Sequence, residues 1–338
     1  LPASYPAYQP VASEDNKKKF EGLWGVTDLS TKPGFTLVEM MNAAHAGEIK
    51  AMYIMGENPV MSDPNQKHVM EALDNLELLV VQDIFLTETA QYAHVVLPAC
   101  AFLEKEGTVT NTERRVQPMH RVLEPAPLVR DDWWITMQIA NRMGAKWEYE
   151  EAKDIFAEIR KATPSYAGIT YSRIEKELIQ WPCPTMEHPG TQLLHRDTFS
   201  RGKGLFTAIE YTPPFEETDR EYPLVLTTGR ILPQFHTGTM SRNSKVLEET
   251  APEGFVEVNP VDASDLDISD GELVSVSTRR GSIRIKAKVV ERSKPNIVFI
   301  PFHFYESCAN RLTVDCLDPA CKIPEYKVCA CKVEKIVV

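Results

Sequence analysis

Short apolar runs separated by a helix-like segment constrain the fold of this chain most strongly. Ile49–Met55, Leu78–Gln82 and His94–Leu97 are too short for typical helices and are largely apolar, as in strands buried on both faces of a sheet. Residues 66–75, between the first two runs, carry apolar side chains at helical spacing. A strand, a helix and a second strand in this order form a βαβ unit. The sequence therefore predicts an open parallel sheet.

Polar residues follow the first two predicted strands directly. Because ligands bind beyond the carboxyl ends of parallel strands, these residues are candidates for a binding site. Each also has an ordinary explanation, since Asn58–Pro59 suits a turn and Asp83 suits a helix cap. A third loop, from Pro98 to Asn111, is expected at the same edge. The candidates on the first two loops are Gly56, Glu57, Asn58, Ser62, Gln82 and Asp83.

From about residue 221 the chain becomes rich in short segments that alternate apolar with polar side chains. This alternation is typical of strands with one buried face, and several of them in succession predict a small β-barrel. Arg280–Gly281 is predicted to form the tight turn of a hairpin, because glycine tolerates a positive φ. The predicted strands are 254–259, 272–277, 282–289, 297–301 and 326–333, with a short capped helix at 259–266.

The remaining segments are predicted to be connectors and helices. Residues 1–40 contain several prolines and are expected to form an extended connector with a short helical stretch near Phe20 to Trp24. Asp131–Asp132 precedes an amphipathic helix that ends before Gly144; one aspartate is expected to cap the helix, which leaves the other free. Residues 148–214 are expected to form a wrapping connector with helices at 152–161 and 171–180.

The stretch from Leu224 to Arg242 contains the strongest candidate for ligand binding. An apolar strand ends in Thr228–Gly229–Arg230, and a loop with glycine and small hydroxyl side chains follows. The guanidinium can donate to an anion, and glycines allow backbone N–H groups to approach phosphate oxygens. An ordinary strand, turn and solvated loop would explain the same residues equally well. The residues alone therefore leave open whether this stretch binds a ligand.

The block Thr-Gly-Arg followed by His-Thr-Gly-Thr-Met resembles the C-terminal domain of molybdopterin-dependent oxidoreductases, and further matches extend along nearly the whole chain. The chain is most similar to the C-terminal half of the formate dehydrogenase catalytic subunit. This resemblance implies an open-sheet α/β domain at residues 1–215, connector included, and a six-stranded double-psi β-barrel dinucleotide-binding domain at residues 216–338. The other matching blocks are 53–59, 81–85, 179–183 and 324–327.

The resemblance also implies which residues contact a molybdopterin guanine dinucleotide. Asp132 would pair with guanine through two parallel hydrogen bonds. His236 can in principle transfer protons, but its neighbours favour a cofactor contact, and His303 is expected at the edge of the core. The full predicted set is Gly56, Glu57, Asn58, Ser62, Gln82, Asp83, Asp132, Thr228, Gly229, Arg230, Gln234, Phe235, His236, Thr237, Asn310, Tyr326 and Lys327.

The implied activity is the oxidation of formate to carbon dioxide, or the reverse, at a molybdenum or tungsten centre held by two pterins. The family's cysteine or selenocysteine ligand, its catalytic histidine and arginine, and its motif for an iron–sulfur [4Fe-4S] cluster match nothing in this sequence and would precede Leu1. No catalytic residue or protein metal ligand is therefore predicted here. The expected partners are the N-terminal portion of the same subunit and electron-transfer subunits. The alternatives are a nitrate reductase of the same family and a non-catalytic scaffold subunit with the same fold.

Charge and cysteine content restrict the other possibilities. A formal net charge of −11 disfavours binding to nucleic acids and to anionic membrane surfaces. The spacings of Cys316, Cys321, Cys329 and Cys331 differ from those of usual zinc knuckles, which favours buried or free thiols in a reducing compartment. No signal peptide or spanning segment is visible. A cytoplasmic location is expected, with a periplasmic one left open.

Overall fold

The computed structural model describes residues 2–336. Apart from short 3-10 turns, the helices are α1 (Glu14–Trp24), α2 (Leu37–His45), α3 (Pro59–Ser62), α4 (Gln66–Asp74), α5 (Asp132–Arg142), α6 (Ala152–Ala162), α7 (Tyr171–Ile174), α8 (Lys245–Thr250) and α9 (Pro260–Asp265).

The strands include very short ones near the N-terminus and longer ones toward the C-terminus. They are β1 (Ser4–Tyr5), β2 (Gln9–Pro10), β3 (Ala51–Met55), β4 (Leu78–Asp83), β5 (Val95–Pro98), β6 (Gly107–Thr110), β7 (Arg115–Met119), β8 (Ile179–Gln180), β9 (Leu224–Gly229), β10 (Phe255–Val258), β11 (Leu273–Thr278), β12 (Gly281–Val289), β13 (Ile297–Pro301) and β14 (Cys329–Lys335).

The chain forms two compact units, each built from two segments. The first comprises Leu1–Thr36 and Leu97–Ile209, and the second comprises Leu37–Val96 and Glu210–Val338. Strands β3 and β4 thus belong to the same unit as β9 to β14. The domain division at residues 215 and 216 stays a prediction.

The predicted βαβ unit is present. Strands β3, β4 and β5 form a sheet in that order, and β3 pairs with β4 in parallel, with Ala51 opposite Leu78. Helix α4 connects β3 to β4 and buries Val69 and Leu73 in the same core cluster as Leu79 of β4. Strand β4 buries Leu79 and Val81, as predicted. Strand β3 buries only Ile54, and β5 is mostly exposed, so the expectation of strands buried on both faces is wrong for these two.

The predicted barrel is also confirmed. Six strands close into a barrel in the order β10, β12, β11, β14, β9, β13. Two neighbouring pairs, β10 with β12 and β9 with β13, are parallel. Alternate side chains of each strand fill the interior, and Cys329 and Cys331 of β14 are buried there, as their spacing predicted.

Three local predictions were wrong. Gly281 pairs with Thr278 inside the hairpin and lacks a positive φ, so Arg279 and Arg280 form the turn. The helix predicted at 171–180 ends at Ile174, because residues 179–180 pair with β7 and Trp181 precedes a proline. Residues 1–40 are less extended than predicted: the helical stretch expected near Phe20 to Trp24 is the end of α1, which Ser13 caps through its hydroxyl, and α2 begins at Leu37.

The first unit has its own small core. Strands β6, β7 and β8 form an antiparallel sheet. Val116 of β7 and Phe156 of α6 belong to one buried cluster with Ile169. Within residues 2–336, no helix is both long enough and apolar enough to cross a bilayer.

Candidate functional site

A cavity of about 620 Å³ opens in the second unit, a volume within the usual range for ligand pockets. Its walls come from the loop after β3, the end of β9, the segment after β13 and the residues before β14. The lining residues are Leu37, Glu57, Ser62, Asp63, Thr228, Arg230, His236, Phe302, Asn310, Tyr326 and Lys327.

The parallel pairing of β9 with β13 places Arg230 and Phe302 at the same end of the barrel. Gly229 lies opposite Pro301 in the register, and the N–H of Phe302 donates to the Gly229 carbonyl at 3.2 Å. The guanidinium carbon of Arg230 lies 5.7 Å from the centre of the Phe302 ring, a cation–π distance. A Cβ on Gly229 would lie 2.5 Å from the Phe299 ring, so a side chain there would require Phe299 to shift.

Two cationic side chains face this cavity without a carboxylate counterion. Among residues 2–336, neither Arg230 nor Lys327 forms an ion pair, and the Lys327 ammonium donates to the Thr228 carbonyl at 2.6 Å. Burial and the neighbouring Arg230 lower the pKa of Lys327. A bound anion would offset both effects, so the pair is electrostatically suited to a phosphate group.

Asp63 gives the cavity a second unusual feature. Its side chain is 1% exposed, and Oδ1 accepts a hydrogen bond from the Ser62 hydroxyl at 2.9 Å. Oδ2 has no partner within the described part of the chain. Burial raises the pKa of Asp63 to about 7, Glu57 adds to the rise, and the Ser62 hydrogen bond opposes it. A ligand that donates to Oδ2, or accepts from its protonated form, would satisfy this group.

The cavity brings together eight of the residues proposed from sequence. Asn310 also ties two segments together, because its amide donates to the carbonyls of Met61 and Ser62 at 2.8 and 3.1 Å. The hydroxyl of Thr228 donates to the Tyr326 carbonyl at 2.8 Å. The eight are Glu57, Ser62, Thr228, Arg230, His236, Asn310, Tyr326 and Lys327.

The other second-unit candidates do not line this cavity, and several have structural hydrogen bonds. Gln82 accepts from the Tyr53 hydroxyl, and Asp83 accepts from the N–H groups of Ile84 and Phe85. Asn58 is buried; its amide donates to Glu88 and its oxygen accepts from Thr89. Gln234 is buried and bonds to Ser241 and the Ala251 carbonyl. The remaining ones are Gly56, Gly229, Phe235 and Thr237.

Asp132 lies in the first unit, at the start of α5, where its carboxylate forms an ion pair with Lys105. The expectation that this aspartate would be free is therefore wrong. Asp131 is the N-cap residue but makes no side-chain capping hydrogen bond; its carboxylate accepts from the Trp133 indole at 3.2 Å.

His303 holds the loop that carries His236. It is fully buried; its Nδ1 donates to the His236 carbonyl, and its Nε2 accepts from the Ile231 N–H at 3.0 Å. These contacts define one neutral tautomer, and burial lowers the pKa of His303. His303 thus lies at the core, as expected, and it also shapes the cavity wall.

Family comparisons agree with this geometry. The family model described as molybdopterin oxidoreductase matches residues 4–142, and that of the molydopterin dinucleotide binding domain matches residues 224–330. The chain belongs to the molybdopterin oxidoreductase family. The second match includes most of the barrel strands and Arg230, whereas Lys327 lies near its C-terminal limit.

Individual relatives of this molybdopterin oxidoreductase chain include proteins with different substrates in their names. It is 50% identical over 340 residues to the F420-dependent formate dehydrogenase subunit alpha of Methanocaldococcus jannaschii, covering 99% of the chain and 50% of that relative. It is 37% identical to the assimilatory nitrate reductase catalytic subunit of Bacillus subtilis, covering 97% of the chain and 48% of that relative. The chain thus spans about half the length of both.

A solved structure has the same fold. Acetylene hydratase from Pelobacter acetylenicus superimposes with a TM-score of 0.72 at 20% identity, over 96% of this chain and 50% of that one. At this identity the likeness concerns the fold alone.

Sequence reasoning missed three cavity residues of this molybdopterin oxidoreductase chain, namely Leu37, Asp63 and Phe302. Asp63 had no local signal, because Ser62–Asp63–Pro64 is an ordinary turn sequence and the burial of its carboxyl depends on distant segments. Phe302 follows the buried strand β13 and had no local signal that separated it from an ordinary core aromatic.

Proposed function

We propose that this chain forms part of the cofactor cradle of a formate dehydrogenase and binds a molybdopterin guanine dinucleotide that carries molybdenum or tungsten. The observation that carries the proposal is the pair Arg230 and Lys327, which lie without a carboxylate partner in one cavity and within the segment matched as dinucleotide-binding. The residues fit an anionic ligand rich in hydrogen-bonding groups, because the cavity combines two cations, hydroxyls and the unpartnered Asp63 oxygen.

Each cavity residue has a distinct task in this proposal. Arg230 would donate its planar fork to a phosphate while the Phe302 ring supports its face. The same anion would offset the lowering of the Lys327 pKa caused by burial and Arg230. Asp63 would hold or release a proton at its free oxygen according to whether the facing ligand atom accepts or donates.

Contacts outside the cavity remain part of the proposal. Asp132 would recognise the guanine edge through two hydrogen bonds, in exchange for its present ion pair with Lys105. The other proposed contacts are Gly56, Asn58, Gln82, Asp83, Gly229, Gln234, Phe235 and Thr237.

The proposed reaction of the whole protein is the oxidation of formate to carbon dioxide, supported by the formate dehydrogenase subunit that is 50% identical to this chain. The bound metal centre would supply the two-electron chemistry. This chain's residues would bind and orient the cofactor, while the groups that act on formate, an iron–sulfur cluster and the electron-transfer subunits would lie outside it. A nitrate reductase is the alternative that the 37% identical relative supports.

Two measurements on the purified full assembly test the proposal. Molybdenum, tungsten and guanine nucleotide are measured per chain, and formate-dependent dye reduction is compared with nitrate-dependent dye oxidation. We expect metal, nucleotide and formate activity together. Metal with nitrate activity alone would favour the nitrate reductase, and the absence of both metals and of nucleotide would leave a non-catalytic scaffold.

A further inference from the structure

Two histidines and a glutamate meet on the surface formed by α2 and α4, separate from the cavity. His45 is the last residue of α2, while His68 and Glu71 lie one helical turn apart on one face of α4. One potential ligand atom from each residue lies within 4.8 Å of the other two. The three residues form the only such cluster of metal-binding side chains within residues 2–336.

The spacing suits a tetrahedral metal ion. His45 Nε2 lies 3.4 Å from Glu71 Oε2. Ligand atoms bonded to zinc at about 2.0–2.2 Å in tetrahedral geometry are separated by roughly 3.3–3.6 Å. The centres of the His45 and His68 rings lie 4.4 Å apart, and one ligand atom of each residue lies within 4.8 Å of the others, so side-chain adjustment alone would bring the three atoms to tetrahedral spacing.

The backbone positions of these ligands are held by packing and hydrogen bonds. Met41 and Ala44 of α2 share a buried cluster with Ala72 and Leu73 of α4. The Asn75 amide also donates to the His45 carbonyl at 3.0 Å, which ties the end of α2 to the end of α4. Binding of an ion would therefore require little further ordering of the backbone.

Asn42 orients the second histidine. His68 Nε2 donates to the Asn42 oxygen at 2.9 Å, which leaves the lone pair of a neutral ring on Nδ1. Lys67 approaches only the other oxygen of Glu71, at 3.7 Å.

We propose that His45, His68 and Glu71 bind one divalent transition-metal ion, of which Zn²⁺ matches the ligand set, and that this ion braces α2 against α4. Two imidazoles and a carboxylate suit zinc, whereas magnesium and calcium require mainly oxygen ligands. The fourth position is filled by water. Both helices are anchored in the same core, so the three ligands are held together only in the folded chain. The ion therefore binds the folded chain more tightly than the unfolded chain and stabilises it.

Calorimetric titration of the full chain with Zn²⁺, after treatment with a chelator, tests the site. We expect binding of one ion to this cluster, a higher midpoint of thermal unfolding with zinc, and no such response to Mg²⁺. His68→Ala and His45→Ala should remove this binding event, and Asn42→Ala should weaken it by about 10–100-fold, the usual effect of losing a residue that orients a ligand. His120→Ala, at an exposed histidine remote in sequence, is the matched control and should bind as the wild type does.

Cobalt spectroscopy separates this cluster from the free thiols. Co²⁺ held by imidazole and carboxylate lacks the intense near-ultraviolet charge-transfer band that a thiolate ligand produces. Ions held by Cys316 or Cys321, which are not fully buried, would show that band. Zinc binding that survives in a His45→Ala, His68→Ala double variant, or cobalt binding with thiolate bands only, would overturn the proposal.

Discussion

Replacement of Arg230 should weaken the binding of an anionic ligand most directly. Arg230 lines the cavity, has no carboxylate partner among the described residues, and is supported by Phe302. Arg230→Ala should lower cofactor affinity tenfold or more, because a hydrogen bond to a charged group contributes roughly 1.5–3 kcal/mol. Cofactor occupancy after competitive loading measures the effect. The exposed Arg220→Ala is the control, and full occupancy in Arg230→Ala would contradict the assignment.

Asp63 should make stability depend on pH. Its pKa rises from 3.8 to about 7 in the folded chain, so the folded state holds more protons than the unfolded state between these values. The stabilising contribution is fully present below pH 3.8 and is lost as pH rises through about 7. At about 1.4 kcal/mol per pKa unit, the loss reaches roughly 4 kcal/mol in the alkaline limit.

Asp63→Asn removes this ionisation. We expect the variant to be more stable than the wild type near pH 8 and to differ little near pH 4. Urea unfolding at both pH values gives the two free energies of unfolding. Exposed Asp197→Asn should show no such pH-dependent difference. An equal effect of Asp63→Asn at both pH values would mean that folding does not raise the pKa of this carboxyl.

At the scale of elements, the loop between β9 and α8 depends on glycine for a reason different from the one its sequence suggested. The N–H of Gly238 donates to the Phe235 carbonyl at 2.9 Å, so that group is occupied within the loop. Gly238 has a φ of 77°, and a Cβ there would lie 2.6 Å from the His303 carbonyl. Left-handed backbone and close packing therefore both require glycine.

Gly238→Ala should displace the loop that carries His236 and destabilise the chain by roughly 1–3 kcal/mol, the range for a side chain added to a packed site. Urea unfolding measures the change. Gly22→Ala is the matched control, because Gly22 lies inside α1 with open space around its Cβ position and should gain up to about 1 kcal/mol from alanine's helix propensity. Unchanged stability of Gly238→Ala would mean that the loop adapts freely.

Regular elements were predictable where packing is repetitive. The apolar runs that became β3 and β4, and the helical spacing of α4, depend on burial patterns within a few neighbouring residues. The hairpin of β11 and β12 followed from alternation, whereas its turn did not, because the turn position depends on the register of Thr278 with Gly281. The helix predicted from Tyr171 to Gln180 failed for a similar reason, since pairing with β7 overrides local helix preference.

At the scale of the whole molecule, the chain by itself should not oxidise formate. It spans about half the length of its formate dehydrogenase relative, and its sequence contains no match to the cysteine or selenocysteine motif expected beside the metal. Formate-dependent dye reduction by the purified chain should be at background, and supplying the remaining half of such a protein should restore it. Turnover by the chain alone would show that its own residues suffice for catalysis.

The sequence by itself determined the types of most elements, the closed barrel and the family, because each depends on local periodicity or on a contiguous motif such as Thr228–Gly229–Arg230. Only the tertiary structure decided which polar groups face the cavity. Asn58 and Gln234 are engaged in structural hydrogen bonds, whereas Asp63 retains a buried oxygen without a protein partner among the described residues. The physical reason is distance along the chain: Asn310 donates to a carbonyl 249 positions away, and no local pattern encodes such a pairing.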